Sequence, residues 1–170
     1  MKLGIIGTGN VGNAIALAAV ARGSAREIVL VNRTRKVAEA VATDLGYGIP
    51  LGPRIDISDG DYDALNGAGV VLITSGVNEK TGGATDRSDP QGRLRLLEKN
   101  ATIYRDIVPK IVRVAPQAVL VAVTDPPDPL ADIARNINSP RLAVSPKSEN
   151  GSPFGVCTVY LFYTAMLNAV

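Results

Sequence analysis

The chain has 170 residues, enough for one domain with a buried core, and its formal net charge is only +2. This small, dispersed charge argues against nucleic acid as a partner, and the complete lack of histidine excludes a histidine general acid, a histidine metal ligand and a serine–histidine triad. The single cysteine, Cys157, forms no disulfide within the chain, and no signal peptide fits before the first predicted strand, so we expect a reducing, cytoplasmic location.

The first twelve residues carry the most informative pattern, an apolar strand that runs directly into a glycine-rich turn. The run Leu3–Ile6 has the length of a strand covered on both faces of a parallel sheet, and glycines then recur at Gly7, Gly9 and Gly12. In dinucleotide-binding domains these glycines permit the tight turn, the approach of a pyrophosphate and close packing of helix on strand. The following helix, predicted over Ala14–Val20, would present its N-terminal N–H groups to the phosphates. The pattern predicts a dinucleotide site; the alternative is a structural turn in another α/β fold.

A second strand is predicted over Glu27–Val31, and the residue after it bears on the choice of cofactor. Dinucleotide-binding domains commonly place an acidic residue there to bind the adenosine ribose, whereas this chain has Asn32. A neutral side chain followed by Arg33 and further basic residues tolerates, and can pair with, a 2′-phosphate. The segment therefore favours NADP over NAD, unless the basic run is only the solvated first turn of the next helix.

The rest of the chain alternates helices and strands, as in a doubly wound parallel sheet. Further helices are predicted over Val37–Leu45, Arg93–Val114 (kinked or interrupted at Pro109) and Leu130–Ile137, and further strands over Arg54–Ile57, Gly69–Ile73, Ala118–Val123 and Arg141–Val144. The result is an α/β, Rossmann-type single domain of six strands over residues 1–144, with its ligand crevice at the carboxyl ends of the strands. The irregular stretch Val77–Gly92 has the length of a mobile lid or a disordered loop.

Several segments, in their order and spacing, resemble the lactate/malate dehydrogenase family over residues 1–144: GIIGTGNVG, EIVLVN, VVLITSG, TDRSD, LLEKNATIYRDIVPKIVRVAP and VLVAVTDPPDPLADIA. The resemblance implies an oxidoreductase that transfers hydride between NAD(P) and a small 2-hydroxy or 2-oxo acid. Two alternatives are open: a non-catalytic NAD(P)-binding module or sensor, and an NADP reductase of the pyrroline-carboxylate type, whose opening also resembles GIIGTGNVG followed by NRT.

The resemblance also implies roles for individual residues. Arg87, in TDRSD, looks like the lid arginine that clamps the substrate and polarises its carbonyl, and Arg93, in RLRLL, is the rival candidate if the intervening residues are an insertion. For either arginine the alternative is a solvated loop position. The expected cofactor-binding set is Gly7, Gly9, Asn10, Val11, Gly12, Asn32, Arg33, Thr74, Ser75, Gly76, Asn100, Val123 and Asp125.

Two positions depart from the family pattern at the substrate end. Glu79 stands near the position where malate-specific members carry arginine and lactate-specific members glutamine, so a dicarboxylate substrate is disfavoured. Asp125 replaces the asparagine of the family's Asn-Pro, and an ionised carboxylate cannot donate a hydrogen bond to substrate.

The largest departure is the apolar tail, residues 145–170, where the family would show a substrate domain with its catalytic histidine. No charge follows Glu149, and the tail is only marginal for spanning a bilayer, so we expect no membrane anchor but a packed element or a contact in a homo-oligomer. Cys157, in this tail, has no basic neighbour in sequence to activate it as a nucleophile. The sequence predicts a catalytic half that is truncated, frame-changed or replaced, and little turnover from this chain alone.

Overall fold

A five-stranded parallel sheet is the frame of residues 1–49, 52–86 and 88–138, which the computed structural model describes. Its strands are β1 (Lys2–Ile6), β2 (Glu27–Val31), β3 (Asp56–Asp59), β4 (Val70–Ile73) and β5 (Val119–Ala122). They lie in the order β3-β2-β1-β4-β5, and every neighbouring pair is parallel. The strand order therefore reverses between β1 and β4, and in such sheets the ligand crevice opens at the carboxyl ends of the strands on either side of that point.

Helices cover both faces of the sheet. They are α1 (Asn10–Arg22), α2 (Arg35–Gly48), α3 (Glu79–Gly82), α4 (Leu97–Val114) and α5 (Pro127–Asn138), with 3₁₀ helices at Tyr62–Leu65 and Gly92–Leu96. Alternate side chains of β1, β2, β4 and β5 enter two separate cores: Ile5 packs with α1 and α2, whereas Ile6 packs with α4 and α5. This double burial explains why the central strands read as unbroken apolar runs.

The Rossmann-type α/β prediction is confirmed, with two corrections to the strands. The sheet has five strands among the described residues rather than six, and the sixth predicted strand, Arg141–Val144, lies outside them, as does the tail. The third strand begins at Asp56, not Arg54, and pairs only with β2. As an edge strand it is half solvated and polar, so it lacks the apolar run that marks the inner strands.

The long helix also differs from its prediction. Residues Gly92–Leu96 form a 3₁₀ turn, so the α-helix starts at Leu97, and it then continues through Pro109 without the predicted interruption. Pro109 lies on the exposed side of α4, where water can solvate the carbonyl group that the missing N–H leaves without a partner. In the described part of the chain, no helix has both the length and the apolar composition needed to cross a membrane.

Candidate nucleotide-binding crevice

The glycine turn after β1 is held in a conformation that side chains would prevent. Gly7 has φ +96°, and its N–H donates to the carbonyl oxygen of Val31 at 2.7 Å. A Cβ atom added at Gly12 would lie 1.9 Å from the Gly7 carbonyl oxygen, because α1 packs directly against the turn. A Cβ added at Gly9 would meet nothing within 4 Å, so the turn is closed at its two ends and open in its middle.

The first turn of α1 offers amide donors to this open space. Gly9 is the N-cap, with no side-chain capping hydrogen bond, and the first turn contains no acidic residue. The N–H groups there have no side-chain acceptor, and they carry the positive end of the helix dipole. Asn10 and Val11 line one cavity beside the turn, and Gly9 lines another. The arrangement suits an anion that touches both cavities.

The two cavities meet at the small residues after β4. The larger has a volume of about 840 Å³ and the smaller about 400 Å³, and Thr74, Gly76 and Val77 line both. The hydroxyl of Thr74 donates to the Gly7 carbonyl at 2.8 Å, and that of Thr124 donates to the Ser75 carbonyl at 2.9 Å. These bonds tie the ends of β1, β4 and β5 into one floor.

Asn100 is a fully buried amide that supports this floor from α4. Its side-chain oxygen accepts from the Val77 N–H at 2.7 Å, and its side-chain nitrogen donates to the Asp125 carbonyl at 2.7 Å. Gly76 lies against both Asn100 and Thr124, because an added Cβ would be 3.1 Å from the Asn100 side-chain oxygen and 2.1 Å from the Thr124 methyl carbon. Asn100 is not among the residues that line either cavity, so it positions the chain segments that do.

The wall of the larger cavity carries mixed charges near the end of β2. Asn32 donates from its side-chain nitrogen to the Thr8 hydroxyl at 2.8 Å, and Arg33 lies beside it on the wall. Arg35 turns away to pair with Asp59 at 2.8 Å and Asp61 at 3.7 Å. Of the predicted basic run, Arg33 is therefore the residue that lines the cavity.

Another section of the wall of the larger cavity presents an aromatic ring, that of Tyr62. The Lys110 ammonium lies 5.5 Å from the centre of the Tyr62 ring and 2.7 Å from the Asp106 carboxylate. Burial, followed by the charge of Asp106, raises the pKa of Tyr62, so the phenol stays neutral. The sequence analysis missed this wall, although a lone tyrosine two residues after Gly60 in a polar segment was a usable signal.

The smaller cavity ends in a charge cluster. Arg93 Nε lies 2.6 Å from a Glu79 carboxylate oxygen, and Arg93 Nη1 lies 3.5 Å from Asp125 Oδ2. Burial raises the pKa of Asp125 above its ordinary value, against the lowering effect of Arg93 and with a further raising effect of Glu79. Glu79, Lys80 and Asp125 line the cavity together with Val123.

The predicted site residues thus fall into three groups. The first group lines the cavities and comprises Gly7, Gly9, Asn10, Val11, Asn32, Arg33, Thr74, Ser75, Gly76, Val123 and Asp125. The second group, Gly12, Asn100 and Arg93, is not among the lining residues, and Arg87 lies outside the described residues. Thr8 was missed, although it sits between two predicted glycines just after the end of β1. Among the described residues no group of histidine, cysteine, aspartate or glutamate could hold a metal ion.

A family profile, curated relatives and a solved structure all match this chain to the same group of proteins. The profile described as the lactate/malate dehydrogenase, NAD binding domain, matches residues 1–143. The L-lactate dehydrogenase of Chloroherpeton thalassium is 42% identical over 137 residues and that of Thermus aquaticus 41% over 138, each match covering 81% of this chain and 42% of the relative. The crystal structure of a lactate dehydrogenase from a Medee basin deep-sea metagenome library superposes with a TM-score of 0.70 at 34% identity, covering 81% of this chain and 42% of that one. The chain therefore spans less than half the length of these relatives.

Asp125→Asn is expected to stabilise the protein at neutral pH and to have no effect in acid. Because the folded-state pKa of Asp125 is raised above 3.8, the folded state binds this proton more tightly than the unfolded chain does. Wild type therefore loses stability from this group as the pH rises from 3.8 through the raised pKa, and the asparagine variant does not. Urea unfolding between about pH 4 and about pH 7 measures the difference. The exposed Asp44→Asn is the control, and a variant that weakens relative to wild type as the pH rises would contradict the prediction.

Proposed function

The chain belongs to the lactate/malate dehydrogenase family, through the NAD-binding domain matched by residues 1–143, and on that basis we propose that its two cavities together hold one nicotinamide nucleotide. The observation that carries the proposal is that the Gly7–Gly12 turn borders both cavities: Gly7 and Gly9 line the larger one, and Asn10 and Val11 line the smaller. A pyrophosphate fits there, because the space beside Gly9 is open and the adjoining amides of α1 lack side-chain acceptors. The tight contacts at Gly7 and Gly12 keep that space from closing.

The proposal assigns each half of the nucleotide to one cavity. The adenosine half lies in the larger cavity, which Asn32 and Tyr62 line, with Asn32 at the ribose. The nicotinamide half lies in the smaller cavity, beside Val123 and Asp125. The backbone N–H groups of Asn10 and Val11 bind the phosphates between them.

The domain match supports NAD, and we propose a preference for NADP as a refinement. Its support is that the neutral Asn32 and Arg33 both line the larger cavity. Asp61 lines that cavity too and works against a 2′-phosphate, and Arg35 is engaged by Asp59. The preference therefore depends on Arg33 as the one guanidinium of the basic run that lines the cavity.

For the chemistry we propose the family reaction, with a small 2-oxo or 2-hydroxy acid as partner. When bound, the nucleotide supplies or accepts the hydride. Arg93 is the candidate for binding the substrate carboxylate, because it lies beside residues that line the smaller cavity, and Arg87 stays a prediction. The 170 residues contain no histidine to carry the proton, so this chain by itself serves as a nucleotide-binding module with little turnover. The single domain over residues 1–144, the homo-oligomer and the cytoplasmic location stay predictions.

Gly9→Val is expected to weaken NADH binding by more than about tenfold, or about 1.4 kcal/mol, without loss of the fold. The new side chain meets no protein atom near its Cβ but fills the space proposed for the pyrophosphate. Gly48→Val is the matched control, because its Cβ is equally unobstructed but lies at the end of α2, away from both cavities. Calorimetric titration measures binding and circular dichroism the fold. Equal affinities for the two variants would count against the proposed site.

Arg33→Gln is expected to lower the affinity for NADPH by about tenfold and to leave that for NADH unchanged, since a charge-assisted hydrogen bond contributes about 1.5–3 kcal/mol. Titrations of wild type with NAD, NADH, NADP and NADPH set the baseline. Arg54→Gln, an exposed arginine outside the cavities, is the control. The NADP preference is wrong if wild type binds NADH more tightly than NADPH.

Steady-state assays of this chain are expected to show little or no oxidation of NADH or NADPH with pyruvate, oxaloacetate or other 2-oxo acids. The physical reason is the missing histidine, since hydride transfer to a carbonyl group needs a proton at the oxygen and the family's proton donor is a histidine. Binding without turnover would support the module interpretation. A rate of a few per second, within the ordinary enzyme range, would refute it.

A further inference from the structure

In the charge cluster at the end of the smaller cavity, the two carboxylates face the cavity and the arginine does not. Glu79 and Asp125 line the cavity wall, whereas Arg93 is not among the lining residues. Arg93 Nε bonds to Glu79 at 2.6 Å, and Nη1 lies 3.5 Å from Asp125. An anionic ligand in the cavity therefore meets two carboxylates and Lys80. The Arg93 guanidinium that would bind this ligand is already paired with the two carboxylates.

Glu79 and a carboxylate ligand would both accept hydrogen bonds from the same donors of Arg93. A guanidinium binds a carboxylate through two parallel N–H donors, and the Nε donor is one of the pair along its most accessible edge. Glu79 already accepts from that donor. A small carboxylate in the cavity can accept from both donors of this edge of Arg93 only when the Glu79 carboxylate has moved away from it.

The backbone around Glu79 allows a side-chain exchange without movement of the helix. The N-cap Asn78 accepts from the Thr81 N–H at 2.9 Å, and α3 ends at Gly83 with φ +75°. At Gly82 an added Cβ would lie 2.0 Å from a Leu96 methyl group, so α3 is packed tightly on the 3₁₀ helix that carries Arg93. The side chains of Glu79 and Arg93, by contrast, are partly exposed to solvent, at 42% and 43% of their surfaces.

We propose that Glu79 is an internal competitor for the anion site on Arg93, which a small carboxylate ligand must displace. This inference rests on the proposed function and adds to it the residue that sets carboxylate affinity. It makes the smaller cavity selective for ligands whose carboxylate binds the guanidinium better than an attached glutamate does. Asp125 keeps Arg93 in place during the exchange, because it holds the other end of the guanidinium.

The test is a titration of oxamate, a small monocarboxylate analogue of a 2-oxo acid, into wild type, Glu79→Gln, Glu79→Ala and Glu98→Gln, each with and without saturating NADH. Both Glu79 variants are expected to bind oxamate about fivefold more tightly than wild type, the upper value for an exposed ion pair of about 1 kcal/mol. Glu98 is exposed in the first turn of α4. The Glu98→Gln substitution removes the same charge as Glu79→Gln, so the Glu98 variant should bind oxamate as wild type does.

The pairwise mechanism is tested by combining Glu79→Gln with Arg93→Gln. The gain is expected to vanish in the Arg93→Gln background, because the competition exists only at that guanidinium. Three results would overturn the inference. The first is a gain that persists in the Arg93→Gln background. The others are equal oxamate affinity in Glu79→Gln and wild type, and no oxamate binding by either Glu79 variant. NADH binding in the same samples reports separately on the proposed function: its absence refutes the nucleotide site, while the oxamate series without nucleotide still decides the role of Glu79.

Discussion

The carbonyl oxygen of Gly7 is the point on which the crevice depends. Thr74 donates to it at 2.8 Å from β4, and α1 passes so close that a Cβ at Gly12 would lie 1.9 Å away. This three-way contact joins the two strands at the reversal of strand order and brings the first turn of α1 to the same place. A larger residue at position 12 would push the helix away from the strand, and its amide donors would no longer lie between the two cavities.

Asn100 provides the second constraint, since a buried amide without partners would cost about 1–3 kcal/mol. It instead bonds to the Val77 N–H and the Asp125 carbonyl, which belong to segments that leave β4 and β5. These segments carry the walls of the smaller cavity. The resemblance to the family gave Asn100 a place near the cofactor, and the structure gives it a positioning role, which motif matching alone does not distinguish.

Sequence reasoning predicted the features that depend on neighbouring residues. The strand Leu3–Ile6 and the glycine turn were predictable because burial on both faces leaves an apolar run and close contacts leave glycines. The edge strand β3 was misplaced because one solvated side removes that signal. The partners of Arg35 and Arg93 were beyond reach, because Asp59 is 24 residues from Arg35 and Asp125 is 32 residues from Arg93, and only the sheet brings them together.

The charge pairing at both ends of the crevice has a consequence for how an anionic nucleotide is attracted. Arg35 is neutralised by Asp59, Lys110 by Asp106 and Arg93 by Glu79, so these cations add little net field. The backbone amides in the first turn of α1 lack a side-chain acceptor, and no carboxylate in that turn competes for them. Their partial charges are fixed by the helix and aimed at the junction of the cavities. The phosphate attraction of this crevice is therefore local and directional, which suits a domain whose net charge is only +2.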